Sequence, residues 1–137
     1  MLQGKKVCIA SMEMKPRKTL SRLVRQASGV DQPTKQYRDF FIDWLTDKLW
    51  IYDRLDAVPT NDILGMVSYC ARELGIEHVI IDSLMKCGID DDNYNGQKQF
   101  MDQLCQLAKQ LDIHVHVVAH MRKGESENKR PGKFDVM

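Results

Sequence analysis

Residues 79–83 read Val-Ile-Ile-Asp-Ser, an uninterrupted apolar run followed directly by an acid and a hydroxyl. A short run of β-branched residues is typical of a strand buried on both faces, as strands of parallel sheets are. Asp82 then stands where this strand leaves the sheet.

Other strands and several helices follow on both sides of this run. The apolar segment Val7-Cys8-Ile9-Ala10 predicts a strand that stops at Ser11-Met12-Glu13, and further strands are predicted at 50–52 and 115–119. Apolar residues at helical spacing predict helices from Pro16 to Gly29, from about 36 to 49, from a Thr60 cap to Gly75, and from 97 to 111. Strands that alternate with helices predict an α/β protein with a mainly parallel sheet and flanking helices.

Three polar residues follow predicted strands directly: Glu13, Asp82 and His120. Parallel sheets bind ligands at the carboxyl ends of their strands, so these residues are the candidate functional site. One carboxylate at a strand end is sufficient to place a hydrated magnesium ion, and a second can orient an attacking water. Each residue also has a plain structural interpretation, as a polar exit from a strand or as an acid at a helix start.

Composition limits the function classes. The formal net charge is +1, so a strongly basic surface for nucleic acid is absent on average. No apolar run approaches the roughly 20 residues needed to cross a bilayer, and the N-terminus lacks a signal-peptide pattern. The four cysteines form no CxxC pair, which indicates reduced thiols and a cytoplasmic protein. From residue 122 the chain is polar and charged, and we expect a flexible tail over 122–137 after a domain at 1–121.

The sequence also contains two weaker metal-binding patterns, a partial calcium loop and a group of histidines. Residues 91–102 partly match a calcium loop, but a strand precedes them and Asp102 is shorter than the usual closing Glu, so a turn that caps the next helix is favoured. His114, His116 and His120 share strand parity. Alternate residues of a strand lie about 7 Å apart, so surface-facing histidines are favoured over a metal cluster.

Taken together, the ordered segments resemble the DnaB-like hexameric replicative helicases and the related phage-type and mitochondrial primase-helicases. Residues 9–14 (Ile-Ala-Ser-Met-Glu-Met) resemble the family segment that carries the catalytic glutamate, and residues 78–84 resemble its magnesium strand. Residues 117–123 (Val-Val-Ala-His-Met-Arg-Lys) resemble the phosphate-sensor strand, with the histidine of the primase-helicase branch. Residues 128–131 resemble the approach to the DNA-binding loop.

The resemblance implies a RecA-like P-loop NTPase core that uses ATP and Mg²⁺ to unwind DNA. It implies that Glu13 is the base or water-positioning residue, that Asp82 holds magnesium through water with Ser83 beside it, and that His120 senses the γ-phosphate. It also implies contact with single-stranded DNA and a hexameric parent protein. Candidate DNA-contacting residues in the tail are Arg122, Lys123, Lys129, Arg130 and Lys133.

The sequence departs from the family pattern in two respects. It contains no GxxxxGK[ST] segment, the loop whose amides and lysine hold the phosphates. It also stops about where the family's DNA-binding loop and arginine finger would be expected to follow. We therefore expect a core truncated at both ends that does not turn over ATP measurably by itself. The alternative is a non-catalytic helicase remnant that acts as a protein-interaction module.

The family's sheet order implies that the strand at 115–119 is left at an unpaired edge. Bare strand edges favour pairing with another chain. We therefore expect a dimer or oligomer through that edge.

Overall fold

The computed structural model describes residues 1–90 and 92–120 and forms one α/β layer structure. Its four strands are β1 (Val7–Ser11), β2 (Leu49–Ile51), β3 (His78–Asp82) and β4 (His114–Val118). Its helices are α1 (Pro16–Ser28), α2 (Lys35–Leu45), α3 (Thr60–Leu74) and α4 (Tyr94–Leu111), with a short 3₁₀ helix at Leu84–Lys86. The predicted α/β fold with a mainly parallel sheet and flanking helices is confirmed.

All strand pairs in the sheet are parallel, and the strand order is β2-β1-β3-β4. Within the described residues β4 pairs with β3 alone, so this strand lies at an edge of the sheet, as expected for the strand at 115–119. The register places Ser11 beside Asp82, and Asp82 beside Val118. Three strands therefore end at the same level of the sheet.

One face of the sheet carries the main core. Alternate residues of β1 and β3 point to this face, where α3 and α4 pack against each other and against the strands. The buried residues of this cluster include Cys8, Ala10, Val79, Ile81, Ile63, Val67, Phe100 and Leu104. The buried residues Val24 of α1 and Leu45 of α2 lie outside this cluster.

The core also contains thiols. Cys8, Cys70 and Cys87 are buried, whereas Cys105 is exposed on α4. Burial raises the pKa of the Cys87 thiol to about 11, so this side chain stays neutral and behaves as a small apolar residue.

Local backbone chemistry explains most of the element ends. Pro16 occupies the first turn of α1, where its missing N–H costs nothing, and Gly29 ends the helix with φ of 71°. Asn93 begins α4, because its side-chain oxygen accepts a hydrogen bond from the Gly96 N–H at 2.9 Å. The turn favoured over a calcium loop at this point is confirmed by this cap, although Asp91 lies outside the described residues.

Three details of the predicted helices are wrong. The helix predicted from residue 97 begins earlier, at Tyr94, after the Asn93 cap. The helix predicted to reach residue 49 ends at Leu45, because Asp47 adopts a positive φ of 59° and the chain re-enters the sheet at Leu49. Thr60 is not a cap: it is the first residue of α3, Pro59 precedes it, and no side chain caps that helix. Pro59 occupies the N-cap position, and proline has no side-chain oxygen that could accept a hydrogen bond from the first turn. The helix therefore starts without a side-chain cap.

We expect the core face to carry most of the stability. Phe100 is 1% exposed inside the main cluster, so Phe100→Ala should lower the free energy of unfolding by about 3–5 kcal/mol, through lost burial and a residual cavity. Phe40→Ala is the matched control, because Phe40 is 64% exposed on α2 and its loss should cost about 0.5 kcal/mol or less. Urea denaturation measures both changes, and equal costs for the two variants would contradict this assignment of the core.

Candidate functional site at the carboxyl edge of the sheet

The site is built where β1, β3 and β4 end together. The Met12 N–H donates a hydrogen bond to the Asp82 carbonyl at 3.0 Å, which fastens the chain after β1 to the end of β3. Glu13 is the next residue, before α1 begins at Pro16. His120 follows β4 by two residues. The parallel register thus brings the three predicted strand-end residues to one edge.

Glu13 is held by two other candidate residues. The Ser83 Oγ donates a hydrogen bond to Glu13 Oε1 at 3.1 Å, and the His120 Nε2 lies 3.7 Å from the same oxygen. Ser83 is fully buried, whereas the side chains of Glu13 and His120 are 40% and 50% exposed. A buried hydroxyl therefore anchors a carboxylate whose outer part faces solvent.

Asp82 occupies a different position from these three residues. It is partly buried, and alternation along β3 directs its side chain to the face opposite that of the core residues Val79 and Ile81. Within the described residues, its carboxylate makes no hydrogen bond or ion pair with another side chain. Asp82 therefore shares the edge with Glu13, Ser83 and His120 but does not contact their side chains.

Ser11 is a site residue that the sequence interpretation missed. It pairs with Asp82 in the register, and therefore points to the same face. Its Oγ is buried and finds no hydrogen-bond partner among the described residues. A buried polar atom without a partner carries a free-energy cost, which a bound water or ion would relieve. The signal in the sequence was only a hydroxyl at the end of an apolar strand.

The oxygen donors at Asp82 and Ser11 fit a hard divalent cation. Magnesium binds through one or two carboxylates and keeps several waters, so a carboxylate beside a hydroxyl is a suitable donor set. Among residues 1–90 and 92–120 no group of three or more His, Cys, Asp or Glu side chains is placed to hold a metal. The fit is therefore to a hydrated ion held at few points.

A cleft of about 450 Å³ opens over Glu13 and His120. It contains both a cationic and an additional acidic side chain, and its lining residues are Met12, Glu13, Leu55, Asp56, Met85, Lys86 and His120. Larger grooves lie elsewhere, about 590 Å³ beside β2 and α3 and about 740 Å³ beside α1 and α2. Neither of these contains a predicted site residue.

The predicted tail residues are not placed by the structure. Arg122, Lys123, Lys129, Arg130 and Lys133 lie outside the described residues. The structure thus tests neither their contact with DNA nor the domain boundary at residue 121. Among the described helices, none has the length and apolar character needed to span a membrane.

A parallel sheet with acids at its carboxyl edge is the arrangement in which α/β proteins commonly bind ligands. Residues 2–126 match a protein-family model described as an AAA domain, so the chain belongs to this family of P-loop ATPases. A comparison with curated proteins found no matching relative. The family match supports a nucleotide-binding ATPase domain.

The hydrogen bond between Ser83 and Glu13 should be measurable as a coupling energy. Ser83→Ala and Glu13→Ala each remove one partner, so a double-mutant cycle should give a coupling of about 0.5–1.5 kcal/mol in the free energy of unfolding. Glu13→Gln keeps an oxygen acceptor and should retain most of this coupling. Costs that add within about 0.3 kcal/mol would show that the two side chains do not interact.

Proposed function

We propose that this chain forms part of the motor domain of an ATP-dependent replicative DNA helicase, of the DnaB-like or primase-helicase kind. The observation that supports this most directly is the Glu13 carboxylate held between Ser83 Oγ and His120 Nε2, at the edge where Asp82 ends β3. The AAA-domain match adds the ATPase character. The helicase assignment depends on the resemblance of the three strand-end segments to that family.

Glu13 is the proposed base or water-positioning residue. Its Oε1 accepts from Ser83, while its partly exposed side chain faces the cleft. A carboxylate fixed in this way can accept a hydrogen bond from a water and orient it for attack on a phosphoryl group. Ser83 is a positioning residue, because it acts on the water through Glu13.

Asp82 is the proposed magnesium-water ligand, with Ser11 Oγ as a second oxygen on the same face. A bound Mg²⁺ would neutralise negative charge on the phosphates of ATP. The carboxylate of Asp82 would hold waters of the ion rather than replace them all, because magnesium gives up its hydration shell reluctantly.

His120 is the proposed sensor of the terminal phosphate. Its Nε2 lies 3.7 Å from Glu13 Oε1, and a protonated ring at this distance forms an ion pair with the carboxylate. A phosphate oxygen in the cleft would compete with Glu13 for this nitrogen. His120 is thus suited to couple phosphate occupancy to the position of the carboxylate, and through the chain after β4 to the proposed DNA-contacting residues at 122–133.

The residues that hold the phosphates in such enzymes are not among these 137, because the sequence contains no GxxxxGK[ST] segment. Phosphoryl transfer depends on positioning and charge stabilisation, and an arginine finger alone contributes about 10³–10⁵ in rate. The proposal therefore assigns hydrolysis, DNA unwinding and hexamer formation to a parent protein. The 137-residue chain by itself is expected to be inactive.

The alternative function is a non-catalytic interaction module. The β4 edge supports it, because within the described residues this strand has one neighbour only and its backbone groups are available for pairing. Self-association through β4 without nucleotide binding would favour this alternative over a helicase motor.

The sequence of the gene around this coding segment is the first observation that distinguishes the helicase motor from the interaction module. We expect the coding sequence on either side of this segment to contain an in-frame GxxxxGK[ST] segment. A stop codon upstream with no such segment would favour the interaction module.

The activity is then tested on the complete gene product. Glu13→Gln should lower DNA-stimulated ATP hydrolysis by about 10²-fold or more, because the water loses its base, whereas ATP binding should persist. The matched control is Glu73→Gln, an exposed acid on α3, which should leave the rate unchanged. A Glu13→Gln enzyme that hydrolyses ATP as fast as the parent would contradict the assigned role.

A further inference from the structure

Three histidines gather on one face of the sheet, away from the carboxyl edge. His78 is the first residue of β3, and His114 and His116 lie in β4. The register pairs His78 with His114 and pairs Ile80 with His116, so all three imidazoles project on the same side. Their ring centroids are 5.7 Å apart between the strands and 4.4 Å apart within β4.

Two nitrogens of this cluster lie at a spacing that one ion can bridge. His78 Nδ1 and His116 Nε2 are 3.4 Å apart, within hydrogen-bond reach of each other when one of them carries a proton. An ion that binds each nitrogen at about 2.0–2.1 Å in tetrahedral geometry separates two ligand nitrogens by about 3.3–3.4 Å. The observed N–N spacing agrees with this value, so an ion can replace the shared proton.

We propose that His78 and His116 form a two-histidine site for a divalent transition-metal ion of the Zn²⁺, Ni²⁺ or Cu²⁺ class. Imidazole nitrogen suits these ions, whereas magnesium prefers oxygen, so this site is chemically distinct from that at Asp82. The remaining coordination positions are left to water, because the described residues contain no three-ligand group. The proposal does not depend on the helicase assignment.

An ion can reach the pair from solvent, because His116 is exposed at the sheet edge. The nearest acid along the chain, Glu77, forms an ion pair with Lys5.

An ion at this position would link β3 to the edge strand β4. It would therefore oppose fraying of β4, and a ligand that binds only the folded chain raises its melting temperature. Sequence reasoning compared only His114, His116 and His120, which share one strand or its exit. The pair that matters lies across two strands, and it becomes visible only with the register.

The test is a Zn²⁺ titration of the untagged 137-residue chain by calorimetry, with melting temperature as a second readout. We expect saturable binding and a rise in melting temperature, with His78→Gln and His116→Gln each weakening binding by about tenfold or more. Cys105→Ser is the control, because it removes an exposed thiol that lies outside both proposed sites. This variant should bind Zn²⁺ within about twofold of the parent chain.

Two results would overturn the proposal. One is the absence of saturable binding below about 1 mM Zn²⁺. The other is binding that survives in both His78→Gln and His116→Gln but disappears in a control variant. Folding of the exposed-site variants is checked by their urea midpoints without metal. As a check that needs no variant, Cu²⁺ should broaden the imidazole proton resonances of His78 and His116 before those of His120.

Discussion

The parallel register between β1, β3 and β4 is the constraint on which the site depends. Ser11, Asp82 and Val118 lie side by side across three strands. Because the strands run in the same direction, the residues that follow them emerge at one edge. A shift of one residue in β3 would turn Asp82 towards the core face and separate Ser83 from Glu13. The same register sets His78 against β4 at the other end of the sheet.

The two faces of the sheet are used differently. One is closed by α3 and α4 around a core that includes Ile81 and Phe100, which holds β3 and β1 in place. On the opposite face, the β3 and β4 portion carries Asp82 and the histidines rather than a continuous apolar surface. The packed face supplies the stability, and the polar groups on the other face and at the edge therefore remain available for ligands.

Much of the fold was predictable from pattern. Apolar runs located β1, β3 and β4 to within a residue or two, and proline and glycine marked both ends of α1. Predictions were wrong where one residue's backbone geometry decided the outcome. Asp47 takes a positive φ just after α2 ends, and Pro59 occupies the N-cap position of α3, where Thr60 was expected as the cap. The 3₁₀ helix after β3 carries no periodic signal and was not predicted.

The candidate site was predictable only where its residues are marked by local sequence pattern. Glu13, Asp82 and His120 were identified because each follows a strand, which is a local property of the sequence. Sequence reasoning missed Ser11 as a site residue and the approach of His78 to His116, because both depend on which residues pair across strands. Pairing is fixed by packing of the whole sheet and is not encoded in any one segment.

The central proposal is that three strand ends form one cation-binding edge, and its most direct test uses Mn²⁺ as a paramagnetic substitute for Mg²⁺ in nuclear magnetic resonance of the 137-residue chain. The account predicts that the amide signals of Ser11–Glu13, Asp82–Ser83 and Ala119–His120 broaden together, and that Asp82→Asn abolishes the effect. Broadening confined to other acidic positions, such as Asp31 or Asp90, with these three segments unaffected, would contradict it.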